Sequence, residues 1–157
     1  MGAETLIALA RQVRGRTMAI LERAEPAWLM WAPAGTANHI LWHAGHALWA
    51  QDVLCIELLT GRSELPAGWA KHFDMESRPA ADKGPWPSRE ELLAALKTQL
   101  VRMEAILKAT DPALLGALSA PGDTGWHIVH ALHDEACHSG EMYLLFKLCR
   151  AGKGPKG

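Results

Sequence analysis

The chain has 157 residues, 49% of them hydrophobic, and a formal net charge of −1 at pH 7. That length suits one domain with a core of its own, and a near-zero charge without a basic patch argues against nucleic acid as a partner. No stretch approaches about 18 uninterrupted apolar residues, which argues against a membrane span.

Leu6, Leu9, Ala10, Val13, Thr17, Ile20 and Leu21 recur at helical spacing and predict a first helix from about Glu4 to Ala24, ended by Glu25 and Pro26. After a short connection, Thr36 is the expected N-cap of a second helix that lasts to about Thr60, where Gly61 stops it. Residues 61–87 carry Pro66, Gly68, Pro79, Gly84, Pro85 and Pro87, which leave room for no more than a turn or a short helix. Trp69, Phe73 and Trp86 are the expected anchors of this segment, and its length reads as a lid or a binding loop. Ser88 and Glu91 form a capping-box pattern that opens a third helix, with Leu92, Leu96, Leu100, Met103 and Leu107 as its buried stripe and Pro112 beyond its end. Asp123 or Thr124 caps a fourth helix, whose apolar pattern continues to Cys149.

No alternating β pattern competes with these segments. The expectation is an all-α four-helix bundle with a long loop between helices 2 and 3, one domain over residues 1–150 and a frayed, disordered tail over 151–157. The three cysteines, Cys55, Cys137 and Cys149, lack CxxC spacing and read as reduced thiols, with Cys137 buried and inert. Together with an N-terminus that has no signal-peptide core, they point to the cytoplasm.

Seven of the eight histidines fall in two segments. In the fourth helix His127, His130, Asp134, His138 and Glu141 recur at spacings of three and four, and Leu145 and Leu148 continue the same stripe, which is expected to face the core. In the second helix His39, His43 and His46 share one face. Burying imidazoles and a carboxylate is costly unless each finds a partner, and a divalent cation satisfies such a group at once. The preferred ligands are His46, Asp134 and His138, three side chains with coordination positions left open for chemistry. His130 is an alternative to Asp134, and His43 or His39 to His46. Zinc, nickel, iron and manganese all accept such a set.

Glu141 reads as a hydrogen-bond acceptor to a ligand or a proton carrier, His133 as a flank residue, and Trp42 and Trp49 as walls beside His46. Gly45 and Gly140 sit inside helices, where close helix approach would explain them. Residues 134–138 also look like a zinc-protease HExxH with its first histidine altered, a reading in which Glu135 is the general base.

Two stretches carry a resemblance to a known family. Trp42-His-Ala-Gly-His46-Ala-Leu-Trp49 and Asp134-Glu-Ala-Cys-His138-Ser-Gly140-Glu141 resemble the second- and fourth-helix segments of the DinB/YfiT-like superfamily. The likeness runs from the first helix through Leu148. It maps the family's first metal histidine onto His46 and its third ligand onto His138. At the second position Asp134 stands where many members have histidine; the related mycothiol-dependent maleylpyruvate isomerases have a glutamate there. Glu141 replaces the glutamine of the HxxxHxGQ-type pattern.

The resemblance implies an up-up-down-down four-helix bundle, often a homodimer, with a divalent metal at one end. It also implies thiol chemistry: a metal that activates a small thiol, or water, for transfer to a small electrophile, with Glu141 or His43 moving protons. A low-molecular-weight thiol is then a second cofactor, for which Lys71, Arg78 and Lys83 offer positive charge. The alternative is a non-catalytic metal-binding or stress-response bundle.

Overall fold

The structure, a computed structural model, describes residues 2–35, 38–79 and 84–155; the expected Thr36 cap, Lys83 and the last two residues of the tail lie outside them. Helix α1 spans Ala3–Arg23 and is followed by a 3₁₀ turn, Pro26–Trp28. Helix α2 starts at Ile40–Gln51, passes through a π-helical turn, Asp52–Glu57, and ends with Leu58–Thr60, where Gly61 adopts φ 78°. A short α3, Trp69–Phe73, lies within the long connection. Helix α4 spans Arg89–Ala109, a short α5 follows at Pro112–Gly116, and α6 covers Thr124–Leu148 before a π-helical turn, Cys149–Lys153. No strand occurs among the described residues, and none of their helices is long and apolar enough to cross a membrane.

The local signals explain most boundaries. The Ser88 hydroxyl accepts from the Glu91 N–H at 3.2 Å and the Glu91 carboxylate accepts from the Ser88 N–H at 2.7 Å, the reciprocal box that fixes the start of α4. Leu92, Leu96, Met103 and Leu107 of its stripe are buried, with Leu100 half-buried. Pro112 opens α5 rather than merely following a helix end, because Asp111 caps it through the Ala113 N–H at 2.8 Å. At the other end the helical turn after α6 is broken at Gly152, which adopts φ 71°.

The four long helices surround two apolar clusters. One gathers Ile20 and Leu21 with Ile40, Leu41, Leu92, Leu96, Met142 and Leu145. The other gathers Leu6 and Ile7 with Cys55, Met103, Leu107, Ile128 and Leu132. The end of α1 therefore meets the start of α2, and the start of α1 meets the end of α2. By the same pairing α4 runs antiparallel to α1, with the Arg89 guanidinium donating to the Ala24 carbonyl at 3.1 Å, while α6 runs parallel to α1. This is an up-down-down-up order, not the up-up-down-down order implied by the resemblance.

Chain geometry accounts for it. The short link between α1 and α2 suffices for an antiparallel return, but α4 runs parallel to α2, so residues 61–87 must climb back along about 30 Å of bundle at 1.5 Å per helical residue. The long segment is a crossover strap before it is anything else. The Asp52 carboxylate, buried at the head of the π turn, accepts from the Glu64 N–H at 3.1 Å and pins where the strap begins.

Between the two apolar clusters lies a polar layer that reaches all four long helices. Arg14 of α1 and Glu135 of α6 are both fully buried, with Arg14 Nε 2.9 Å from Glu135 Oε1. The guanidinium also donates to Gln99 Oε1 at 3.0 Å and to the Leu96 carbonyl at 3.3 Å. Gln99 Nε2 donates to the Leu48 carbonyl at 2.8 Å, and Gln51 Nε2 donates to Glu135. Glu135 is thus a structural counter-ion, not the general base of an altered protease motif. A buried ion pair that loses one member leaves an uncompensated charge, at a cost of about 3–5 kcal/mol. Glu135→Leu is expected to lower unfolding free energy by about that much in denaturant titration. The double variant Arg14→Met/Glu135→Leu should recover most of the loss.

Candidate metal centre

The imidazoles of α2 are placed by its entry and by the strap. His39 occupies the N-cap, and its Nδ1 accepts from the Trp42 N–H at 3.1 Å, which makes it a cap in place of the alternative ligand proposed for it. His43 and His46 follow on the inner face, both buried. Trp42 stacks on His46 with ring centroids 4.7 Å apart and an interplanar angle of 17°, and its indole N–H donates to Ser77 Oγ at 2.8 Å. Trp49 lies 5.2 Å from His46 on a tilted approach, so both expected walls are in place.

The strap completes this half of the site. His46 Nδ1 lies 2.6 Å from the Phe73 carbonyl; a carbonyl only accepts, so Nδ1 carries the proton and Nε2 presents its lone pair. The Phe73 ring packs so closely on α2 that any Cβ at Gly45 would collide with it. Trp69 Nε1 donates to the Gly45 carbonyl at 3.1 Å. Gly45 is therefore required for close approach, but of the strap and not of a long helix. Gly140 has open space around it and no such role.

On α6 the polar stripe sits one step off its expected orientation. The core-facing residues are Ile128, Ala131, Leu132, Glu135, Ser139, Met142, Leu145 and Phe146, so His127, Asp134, His138 and Glu141 lie along the flank that meets α2. His130 is exposed and stacks on Trp126 at 5.1 Å, apart from the other groups. His133 is exposed as expected, and Cys137 is also exposed, 3.7 Å from His133 Nε2. Cys137 thus departs from the buried thiol predicted for it: it lies on the solvent side of α6, while Cys55 and Cys149 are buried.

Antiparallel packing of α2 and α6 then brings His46, Asp134 and His138 together, their candidate ligand atoms all within 4.8 Å of one another. His46 Nε2 lies 3.5 Å from Asp134 Oδ2, and His138 Nε2 lies 3.6 Å from Asp134 Oδ1. Asp134 Oδ2 is sealed from solvent and accepts no hydrogen bond. Burial pushes the Asp134 carboxyl upward, but the neighbouring imidazoles of His138 and His46 outweigh it and hold the group well below the usual carboxylate range.

A second group abuts the first through His138. His43 Nδ1 and His138 Nδ1 are 2.8 Å apart, and Glu141 Oε2 lies 3.3 Å from the former and 3.8 Å from the latter. Burial first, then the nearby imidazoles, pull His43 down to about 3, against a smaller upward effect of Asp134. His43 is therefore neutral at pH 7, and one proton serves the pair of facing nitrogens. Side-chain exposure climbs from 1% at His46 through 16% at His138 and 23% at Asp134 to 60% at Glu141.

The donor set fits a divalent cation on the evidence of its own atoms: a nitrogen lone pair oriented by a carbonyl behind it, a second imidazole, and a buried carboxylate oxygen without a donor. Sequence reasoning missed the Phe73 carbonyl, since a backbone acceptor 27 residues away leaves no trace in composition. It also missed Arg14, a basic residue on an amphipathic helix that reads as solvated.

The model of the DinB superfamily matches residues 9–142, a span that includes His43, His46, Phe73, Asp134, His138 and Glu141. No curated protein matches the chain.

Two outcomes follow from the burial pattern. Burial lowers His39 from its usual 6.5 to about 4, so the unfolded chain binds a proton that the folded one refuses, and stability present above pH 6.5 is lost as pH falls toward 4. Between pH 7 and 5 the metal-free protein should lose about 2 kcal/mol through this residue. His39→Asn, which keeps a capping side chain, should flatten that slope in chemical denaturation. Burial and Asp52 push the Cys55 thiol up to about 12, so a thiol reagent should modify Cys137 rapidly in the native protein and reach Cys55 and Cys149 only on unfolding.

Proposed function

We propose, from the premise that the chain belongs to the DinB superfamily, that it is a divalent-metal-binding enzyme that activates a small thiol, or water, toward a small electrophile. The observation carrying this reading is the convergence of His46 Nε2, Asp134 and His138 Nε2, with His46 locked from behind by the Phe73 carbonyl. Zinc, nickel, iron and manganese all suit two imidazoles and a carboxylate. When bound there, such an ion supplies Lewis-acid chemistry, lowering the pKa of a thiol or water that it holds.

The chain's own residues do the rest. Phe73 fixes the His46 tautomer, and Trp42 and Trp49 hold the ring between them and limit water on that side. Asp134 contributes a charge that partly neutralises a cation, and its two oxygens face different imidazoles. His138 Nδ1 donates to His43 Nδ1 when its Nε2 faces the triad, so His43 acts as the acceptor that orients His138. Glu141, the most exposed member, is placed to carry a proton between the His43–His138 pair and solvent.

Arg78 provides little for an acidic thiol. Arg78 is exposed and donates to the Glu76 and Ser77 carbonyls of its own loop at 2.6 and 2.9 Å. A thiol whose own charge does not demand a basic pocket fits better.

Metal analysis of the purified protein tests the reading. Stoichiometric divalent metal is expected, with His46→Ala and His138→Ala each weakening it by at least about 100-fold and abolishing metal-dependent thiol transfer to an aryl or alkyl electrophile. Undiminished metal in both variants would refute the ligand set, and undiminished transfer by metal-free protein would refute the activity.

A further inference from the structure

We propose that His43, His138 and Glu141 form a second, outer position for a divalent cation, joined to the inner one through the two ring nitrogens of His138. The proposal deepens the reading of the inner triad and rests on it. Three observations carry it.

The first is geometric. His43 Nδ1, His138 Nδ1 and Glu141 Oε2 define a triangle with edges of 2.8, 3.3 and 3.8 Å. These straddle the edge of about 3.4 Å that a tetrahedral ion with bonds of about 2.1 Å requires. The second is chemical. The two Nδ1 atoms face each other on rings held by separate helices, and the arrangement is satisfied either by one shared proton or by one cation. The carboxylate beside them supplies the negative charge that a cation needs and that a neutral imidazole pair does not.

The third is access. His43 and Glu141 line a cavity of about 300 Å³ whose other walls include Leu144, Leu145 and Leu148. An ion between them borders a space of small-molecule size with apolar walls. The outer position is then where a substrate with an apolar body would meet the metal.

His138 is the hinge of the arrangement, because its Nε2 faces Asp134 and its Nδ1 faces His43. With only the inner ion bound, Nδ1 keeps its proton and donates it to His43. Entry of the outer ion displaces that proton to solvent past Glu141, leaving His138 as an imidazolate that shares its two lone pairs between the ions. One proton leaves, and bonds to the cation from His138 Nδ1, His43 Nδ1 and Glu141 Oε2 replace the hydrogen bond it made.

Zinc alone is the probe. Metal-free protein loaded with Zn²⁺ and desalted should hold two equivalents per chain, and the second should release about one proton, read with an indicator dye. Glu141→Ala, at an exposed position with no folding role, should hold one equivalent without that release, and His43→Ala should do the same. His138→Ala should retain neither ion tightly. A wild-type chain that holds one equivalent, lost in His46→Ala and indifferent to Glu141→Ala, would overturn the outer position while leaving the inner triad intact. A second equivalent unchanged in both Glu141→Ala and His43→Ala would overturn it as well. No bound zinc at all would overturn both readings.

Discussion

The buried ion pair between Arg14 and Glu135 is the constraint from which the rest of the molecule follows. A carboxylate and a guanidinium sealed from water tolerate little movement, since any loss of contact leaves a bare charge in a low-dielectric interior. Gln99 and Gln51 extend the pair to α4 and α2, so one polar layer sets the axial register of all four long helices. It also sets the rotation of α6. With Glu135 pointing inward and about 100° of turn per residue, Asp134 and His138 both project to the same side, roughly 100° and 60° from the core direction. That side is the one facing α2.

The strap has two roles that share one length. Because α2 and α4 are parallel, residues 61–87 must return along the bundle, and in doing so they cross the outside of α2 near His46. Folding α3 into that path lets the Phe73 ring fill the space left by Gly45 and brings its carbonyl to His46 Nδ1. Topology supplies the backbone, and the site uses one of its carbonyls as the acceptor that fixes an imidazole. A lid role is not required to explain why the segment is long.

The local signals were readable in the sequence: the Ser88–Glu91 box, the left-handed Gly61, the stripes of α1 and α4, and the two histidine-bearing helix faces. What failed to show was orientation. Periodicity fixes which residues share a stripe but not which stripe faces the core, and nothing near Glu135 in the sequence marks it as a buried counter-ion, because its partner lies 121 positions away. Taking the histidine stripe as the core face followed from that, as did burying Cys137. The identity of the α2 cap was hidden for a different reason: histidine is not among the usual capping residues, yet its Nδ1 at position 39 accepts a backbone N–H as an Asn oxygen would. Helix direction depended on how far the strap travels, which composition alone does not encode.

The offset of the polar stripe from the core direction is what makes the centre chemically usable. A fully central site would have to desolvate every ligand and would admit no reactant; a surface site would leave imidazoles hydrated and mobile. On the flank between α2 and α6, exposure climbs from His46 to Glu141, so the inner ligands sit where electrostatic interactions are strong while the outermost carboxylate meets water. Charge is cheapest to solvate at the Glu141 end and most expensive at His46, where the fixed groups lie. That gradient comes directly from pinning Glu135 at the bundle centre, since turning α6 so that the histidine stripe pointed inward would pull the carboxylate away from Arg14.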